Sequence, residues 1–161
     1  MTVAVYAGSF DPFTYGHLDI LKRGLKIFDE VLVAVAYNPE KEGLLTTEER
    51  VNIIKKCTEN LKRVKVFSFD GLTVDFAKKH NATVLLRGIR SFADYEYENQ
   101  LSQINSSLNK NIETVFLISE PKYSHISSSA VRELLSHKCD LSEFVPKPAL
   151  EYLHKKFNAA I

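Results

Sequence analysis

The run Gly8-Ser9-Phe10-Asp11-Pro12-Phe13-Thr14-Tyr15-Gly16-His17 concentrates residue types that handle anions. A hydroxyl (Ser9) and an imidazole (His17) stand toward its two ends, Gly8 and Gly16 flank it, and Pro12 fixes one φ inside it. The apolar Val3-Ala4-Val5-Tyr6 leads in, and a helix-period pattern from Leu18 leads out. The run therefore reads as a tight turn between a strand and a helix start. Backbone N–H groups and the helix dipole at such a start attract anions, so the chemistry expected here is phosphate handling.

The rest of the chain must position that turn. Leu18, Leu21, Leu25 and Phe28 recur at spacings of three and four, as on one face of a helix. Val31–Tyr37 is nearly continuous apolar, as expected of a strand covered on both faces, and Pro39 stops it. Thr46-Thr47-Glu48-Glu49 has capping-box spacing and opens a helix carrying Val51, Ile54 and Leu61. Val64–Phe69 reads as a third strand closed by Gly71, and a short helix through Phe76 and Ala77 stops near Asn81. Thr83–Leu86 is a fourth strand running into an Arg87-Gly88-Ile89-Arg90 turn. A long helix follows from Phe92 to Leu108, then a fifth strand, Val115–Ile118, and helices after Ser127–Ser129 and after Pro148.

Five strands alternating with helices imply a doubly wound, parallel α/β sheet, whose ligands bind beyond the carboxyl ends of the strands. The five loops at that end, Gly8–His17, Asn38–Gly43, Asp70–Thr73, Arg87–Arg90 and Glu120–Ser129, are the candidate site. They carry Ser9, His17, Lys41, Thr73, Arg87, Arg90, Tyr123 and Ser127 to Ser129. Carboxylates are few there, chiefly Asp11 and the Glu96/Glu98 pair just beyond. Such a lining suits one polyanion, or two anions together.

Bulk properties narrow the classes. At 161 residues the chain fits one domain with a sizeable core, and its 45% apolar and 25% charged content is that of a globular protein. A net charge of +1 gives no field suited to nucleic acid or a membrane surface, so anion binding must come from local placement of Lys and Arg. Thr2–Ala7 is too short for a signal-peptide core, and no apolar run approaches the roughly 18 residues that span a bilayer. Cys57 and Cys139 are far apart with no metal-ligand spacing, which fits a reduced cytoplasmic protein with partly buried, inert thiols. The fingerprints G-x-G-x-x-G, G-x-x-x-x-G-K-[ST] and G-x-S-x-G are all absent, which argues against dehydrogenase, kinase-like and Ser-His-Asp hydrolase readings.

Gly8-Ser9-Phe10-Asp11-Pro12 followed by Thr14-Tyr15-Gly16-His17 resembles the T/H-x-G-H signature of the nucleotidyltransferase superfamily, which includes class I aminoacyl-tRNA synthetases. Lys41, Arg87-Gly88-Ile89-Arg90-Ser91, Asp94-Tyr95-Glu96-Tyr97-Glu98 and Ile126-Ser127-Ser128-Ser129 narrow the likeness to the bacterial phosphopantetheine adenylyltransferase family, from Val3 into the last helix. Ser9 stands where that family also uses Thr; either supplies a hydroxyl. The resemblance implies a Rossmann-like single domain over residues 1–161 with C-terminal helices. It implies reversible adenylyl transfer from ATP to 4′-phosphopantetheine, giving dephospho-coenzyme A and pyrophosphate in the penultimate step of coenzyme A biosynthesis. Mg2+ would accompany ATP through its phosphates and water, with no protein ligand assigned.

The same resemblance assigns residues. His17 becomes the transition-state stabiliser at the α-phosphate, and Ser9 and Phe10 line the region shared by both substrates. Lys41, Thr73 and Arg87 fall to phosphopantetheine, together with Ser9. Gly88, Ile89, Arg90, Glu98 and the segment Tyr123, Ser124, His125, Ile126, Ser127, Ser128 and Ser129 fall to ATP. A homohexamer built as a dimer of trimers, and feedback binding of coenzyme A, are further implications. A phosphate nucleophile is already ionised near neutral pH, so the absence of a nucleophile–base pair is expected of this chemistry.

Two other functions compete. One is a small nucleotidyltransferase using nicotinamide mononucleotide, glycerol phosphate or a choline-type phosphate; Lys41, Thr73 and the Arg87–Arg90 turn argue against it by resemblance. The other is a non-catalytic nucleotide sensor, against which the full set of Ser9, His17, Lys41, Arg87 and Arg90 speaks. By itself, a histidine at a helix start reads as a cap, Ser127–Ser129 as an N-cap cluster and Lys41 as a solvated loop residue. Asp11 reads as a cap of its turn, and Phe92, Tyr95 and Tyr97 as packing or subunit-contact residues. His80, His137 and His154 are expected to be exposed, and His125 has no role of its own assigned.

Overall fold

In the computed structural model, which describes residues 1–40 and 42–158, one sheet is built from β1 (Val3–Gly8), β2 (Glu30–Ala36), β3 (Val64–Phe69), β4 (Val84–Ile89) and β5 (Glu113–Ile118). The strands are parallel in the order β3-β2-β1-β4-β5, as the alternation of strands and helices predicts. The chain leaves β1 toward β2 on one side and returns to β4 on the other. The switch point of the winding thus lies between the carboxyl ends of β1 and β4.

Helices cover both faces: α1 (Tyr15–Gly24), α2 (Thr47–Cys57), α3 (Thr73–Lys79), α4 (Phe92–Leu108), α5 (Ser128–Ser136) and α6 (Lys147–Phe157). Alternate residues of the central strands serve opposite faces. Ala4 and Tyr6 of β1 with Val31, Val33 and Val35 of β2 pack against Leu18, Leu21 and Ile54. Val5, Ala7, Leu32 and Ala34 point the other way, onto Val74, Phe76 and Ala77 of α3. Among the described residues a further cluster, including Ile53, Val131, Leu141 and Leu153, joins α2, α5 and α6 beside the sheet. Glu49 helps to close it: its carboxylate accepts from Tyr152 Oη and Lys156 Nζ, each at 2.7 Å. Burial would push the Glu49 pKa up, but those bonds and the Thr46 N–H outweigh it and hold the carboxyl down at about 2.

Several boundaries differ from the sequence reading. α1 begins at Tyr15, ahead of the first apolar repeat, because Thr14 caps it, and it ends at Gly24, so that Leu25 and Phe28 reach the same core from the following turn. Leu61 likewise packs on that core from beyond the end of α2. β4 continues through Arg87, Gly88 and Ile89, where the sequence pattern predicts a turn: all three stay paired with Phe116, Leu117 and Ile118 of β5. β5 begins two residues early, at Glu113. His137 is exposed, whereas His80 and His154 are half-buried; the His80 ring lies 4.3 Å from that of Phe76 and 4.8 Å from that of Phe67.

Candidate active site

His17 is the third residue of α1, and its helix explains its chemistry. The Thr14 hydroxyl accepts the His17 backbone N–H at 3.3 Å, while the His17 side chain turns back to accept the Thr14 N–H on Nδ1 at 3.1 Å. This is a capping box with imidazole in the place usually taken by Glu or Gln. An Nδ1 that accepts leaves the proton of the neutral ring on Nε2. Phe13 stacks on the imidazole at 5.6 Å and Phe10 meets it edge-on at 5.0 Å. Burial, followed by the positive fields of Arg90 and Arg87, lowers the His17 pKa from 6.5 to about 3. At neutral pH His17 is an uncharged donor through Nε2.

The loop before it is held from several directions. Phe10 has φ 50°, a left-handed conformation that costs a non-glycine residue about 1 kcal/mol or more. Arg50, buried on α2, donates to the Ser9 carbonyl at 2.6 Å and the Ala36 carbonyl at 3.2 Å. Arg132 of α5 donates to the Asp11 carbonyl at 2.6 Å, and the Ser128 hydroxyl to the Pro12 carbonyl at 2.8 Å. The Asp11 carboxylate accepts the Leu44 and Leu45 N–H groups at 2.8 and 2.9 Å. Gly43 makes room for this, since a Cβ there would lie 2.8 Å from Asp11 Oδ2. Asp11 thus fastens the β2–α2 loop to the turn; its role is structural, but through a distant loop rather than as the cap of its own turn that the sequence suggests.

Above the β1/β4 switch point lies a cavity of about 300 Å³. Ser9, Phe10, Gly16 and His17 line one side and Ser127 to Ser129 with Ile126 another; Arg87, Gly88 and Arg90 form the floor. Gly88 lets α1 approach: a Cβ on it would stand 2.9 Å from Ile20 Cγ1. A second cavity of about 190 Å³ adjoins the first, lined by Ser9, Thr73, Leu85, Arg87, Leu101 and Asn105 among others. Ala7, Gly8, Ser9, Arg87 and Glu98 belong to both, and so stand at the partition.

The charges around these cavities are mostly matched. Arg87 donates through Nε to Glu98 Oε2 at 2.7 Å and through Nη2 to Oε1 at 2.5 Å, and its Nη1 donates to the Ala7 carbonyl. Burial disfavours the Arg87 cation, but Glu98 more than offsets that and raises its pKa. Arg90 pairs with both oxygens of Asp94, at 2.9 and 3.1 Å, and reaches the Ile126 carbonyl at 3.3 Å. Arg132, which no sequence motif singles out, also lines the larger cavity; it donates to the Asp11 carbonyl and to the Ser129 hydroxyl. Its spacing three residues after Ser129, on one face of α5, was the available signal.

The structure brings most of the predicted residues together. Ser9, Phe10, His17, Gly88, Arg90, Glu98, Ile126, Ser127, Ser128 and Ser129 line the larger cavity, and Ser9, Thr73 and Arg87 line the smaller. Ile89 is buried on β4 below the floor. Tyr123 stacks on Tyr15 at 6.3 Å, the Ser124 hydroxyl donates to the Pro121 carbonyl and His125 meets Phe144 edge-on, so these three sit outside the lining. Lys41 lies outside the described residues.

Residues 5–134 match the family model described as cytidylyltransferase-like. A phosphopantetheine adenylyltransferase of Caldanaerobacter subterraneus subsp. tengcongensis is 48% identical over 98% of this chain and 99% of its own. The chain belongs to the phosphopantetheine adenylyltransferase family. Proteins of the same name from Geotalea daltonii and Clostridium perfringens are 47% and 45% identical, over 98% and 99% of this chain and 98% and 97% of theirs. In this phosphopantetheine adenylyltransferase family member, no described helix is long and apolar enough to cross a membrane.

Proposed function

We propose that this chain transfers the adenylyl group of ATP to the phosphate of 4′-phosphopantetheine, forming dephospho-coenzyme A and pyrophosphate, the penultimate step of coenzyme A biosynthesis. The observation that carries the reading is the His17 Nε2 donor in the larger of two adjoining cavities, in a chain that matches a phosphopantetheine adenylyltransferase over 98% of its length. An oxygen of the acceptor phosphate forms the new bond to the α-phosphorus, and the bond to the β-phosphate oxygen breaks, releasing pyrophosphate. The attacking oxygen is already ionised, so the site needs no base. It must bring two anions together in line, which is worth ~7–11 kcal/mol in well-oriented reactions. A donor aimed at charge developing on the α-phosphate is worth ~3–4 kcal/mol, and His17 Nε2–H fills that role.

ATP occupies the larger cavity, its phosphates toward His17, Arg90, Arg132 and the start of α5, where backbone N–H groups and the helix dipole favour anions. It enters as its magnesium complex. The nearby carboxylates Asp94 and Glu98 are committed to arginines, so the phosphates and water hold the ion. The acceptor occupies the smaller cavity, where Leu85, Leu101 and Phe69 suit a linear arm, Asn105 and Thr73 suit its amides and Arg87 its phosphate. Lys41 and the Tyr123–His125 segment join the two sites by resemblance.

The chain works in the cytoplasm as a homohexamer. Phe92, Tyr95, Tyr97, Ile104 and Leu108 of α4 and Ile118 of β5 are exposed, an apolar surface that supports subunit contact. Coenzyme A, which shares the acceptor's arm, binds the acceptor cavity as a feedback ligand. Pyrophosphate release on mixing the protein with ATP and 4′-phosphopantetheine, nicotinamide mononucleotide, glycerol phosphate or phosphocholine tests the acceptor. Release with phosphopantetheine is expected; release with another acceptor in its place would overturn the reading.

A further inference from the structure

Of the seventeen described residues of α4, Glu98 alone is buried, at 8% exposure. Burying a carboxylate is costly unless a partner compensates it, and here the whole carboxylate is spent on one partner, Arg87. The pair stands between the two cavities, since both residues line both of them. Two of the three guanidinium nitrogens of Arg87 face Glu98, and the third donates to Ala7. One N–H on Nη1 and one on Nη2 remain for a ligand, on a cation whose charge is already matched.

We propose that Glu98 is a positioning residue that also tunes acceptor affinity: it fixes the Arg87 guanidinium at the partition and, by matching its charge, holds down its attraction for the acceptor phosphate. The proposal rests on the acceptor assignment above. Its logic follows from what accelerates a reaction. An unmatched Arg87 would grip the acceptor phosphate as strongly in the ground state as at the transition state, which lowers KM without raising kcat. A guanidinium held rigidly by a carboxylate presents its remaining donors in a fixed direction, at the cost of weaker ground-state attraction.

Two substitutions separate charge from geometry. Glu98→Gln keeps size and one acceptor oxygen but removes the charge; Glu98→Asp keeps the charge but shortens the arm. Titration calorimetry without ATP measures binding of 4′-phosphopantetheine and of pantetheine, which lacks the phosphate. We expect Glu98→Gln to bind phosphopantetheine about tenfold tighter, with pantetheine changed less than about twofold and kcat reduced. Glu98→Asp should lose kcat without any tightening. Equal or weaker phosphopantetheine binding by Glu98→Gln, equal tightening toward pantetheine, or equal tightening in both variants would each overturn the proposal. A wild-type chain that binds no phosphopantetheine would overturn the acceptor assignment as well, and is distinguished by the wild-type titration alone.

Discussion

At the scale of the residue, His17 combines three constraints. The Thr14 N–H on Nδ1 sets the tautomer, the Phe10 and Phe13 rings set the plane, and burial with Arg90 and Arg87 keeps the ring neutral. A neutral donor gains a hydrogen bond as charge builds on the α-phosphate, and as an uncharged group it has no extra hold on the polyanion in the ground state. His17→Ala should lower kcat by ~10²-fold or more while ATP still binds within a few-fold of wild type, measured by steady-state kinetics and calorimetry. The sign of the pH dependence follows from a folded pKa of about 3 under an ordinary 6.5: the neutral ring is favoured by folding, fully above pH 6.5 and progressively less below it. Nitrogen NMR of the ring should therefore show the Nε2–H tautomer with no titration between pH 5 and 8. A midpoint near 6.5 would mean that the ring is solvated and charged during turnover at mildly acid pH.

At the scale of the element, the alternation of strands and helices was legible in the sequence because continuous apolar runs mark covered strands and threes and fours mark helices. The end of β4 was not. Arg87-Gly88-Ile89 has the composition of a loop, yet its register with β5 continues and Gly88 is required by the approach of Ile20. Arg50 and Arg132 were hidden for a different reason: their partners include backbone carbonyls far away in sequence, which leave no pattern to read. The capping box at Thr46 was legible, but not that its Glu49 also anchors α6. Glu49→Gln should lower stability at pH 7 by about 1–2 kcal/mol in denaturant titration. Because the folded carboxyl titrates at about 2 against an ordinary 4.5, its contribution is complete above pH 4.5 and fades as the pH falls toward 2. The gap between variant and wild type should therefore narrow in acid; a gap independent of pH would assign the loss to packing instead.

At the scale of the whole molecule, the winding of the sheet brings the turn after β1, the end of β4 and the start of α5 to one edge, where two cavities share a wall. With a net charge of only +1, no overall field draws anions in, so attraction at that edge comes from the local placement of Arg87, Arg90 and Arg132. The chemistry proposed there moves the adenylyl group and nothing else. Incubation with phosphopantetheine and ATP labelled at the α-phosphorus tests it most directly. The label is predicted to appear in dephospho-coenzyme A, while label at the γ-phosphorus appears only in pyrophosphate. Transfer of the γ-label to the acceptor, or release of the α-label as free AMP, would contradict it.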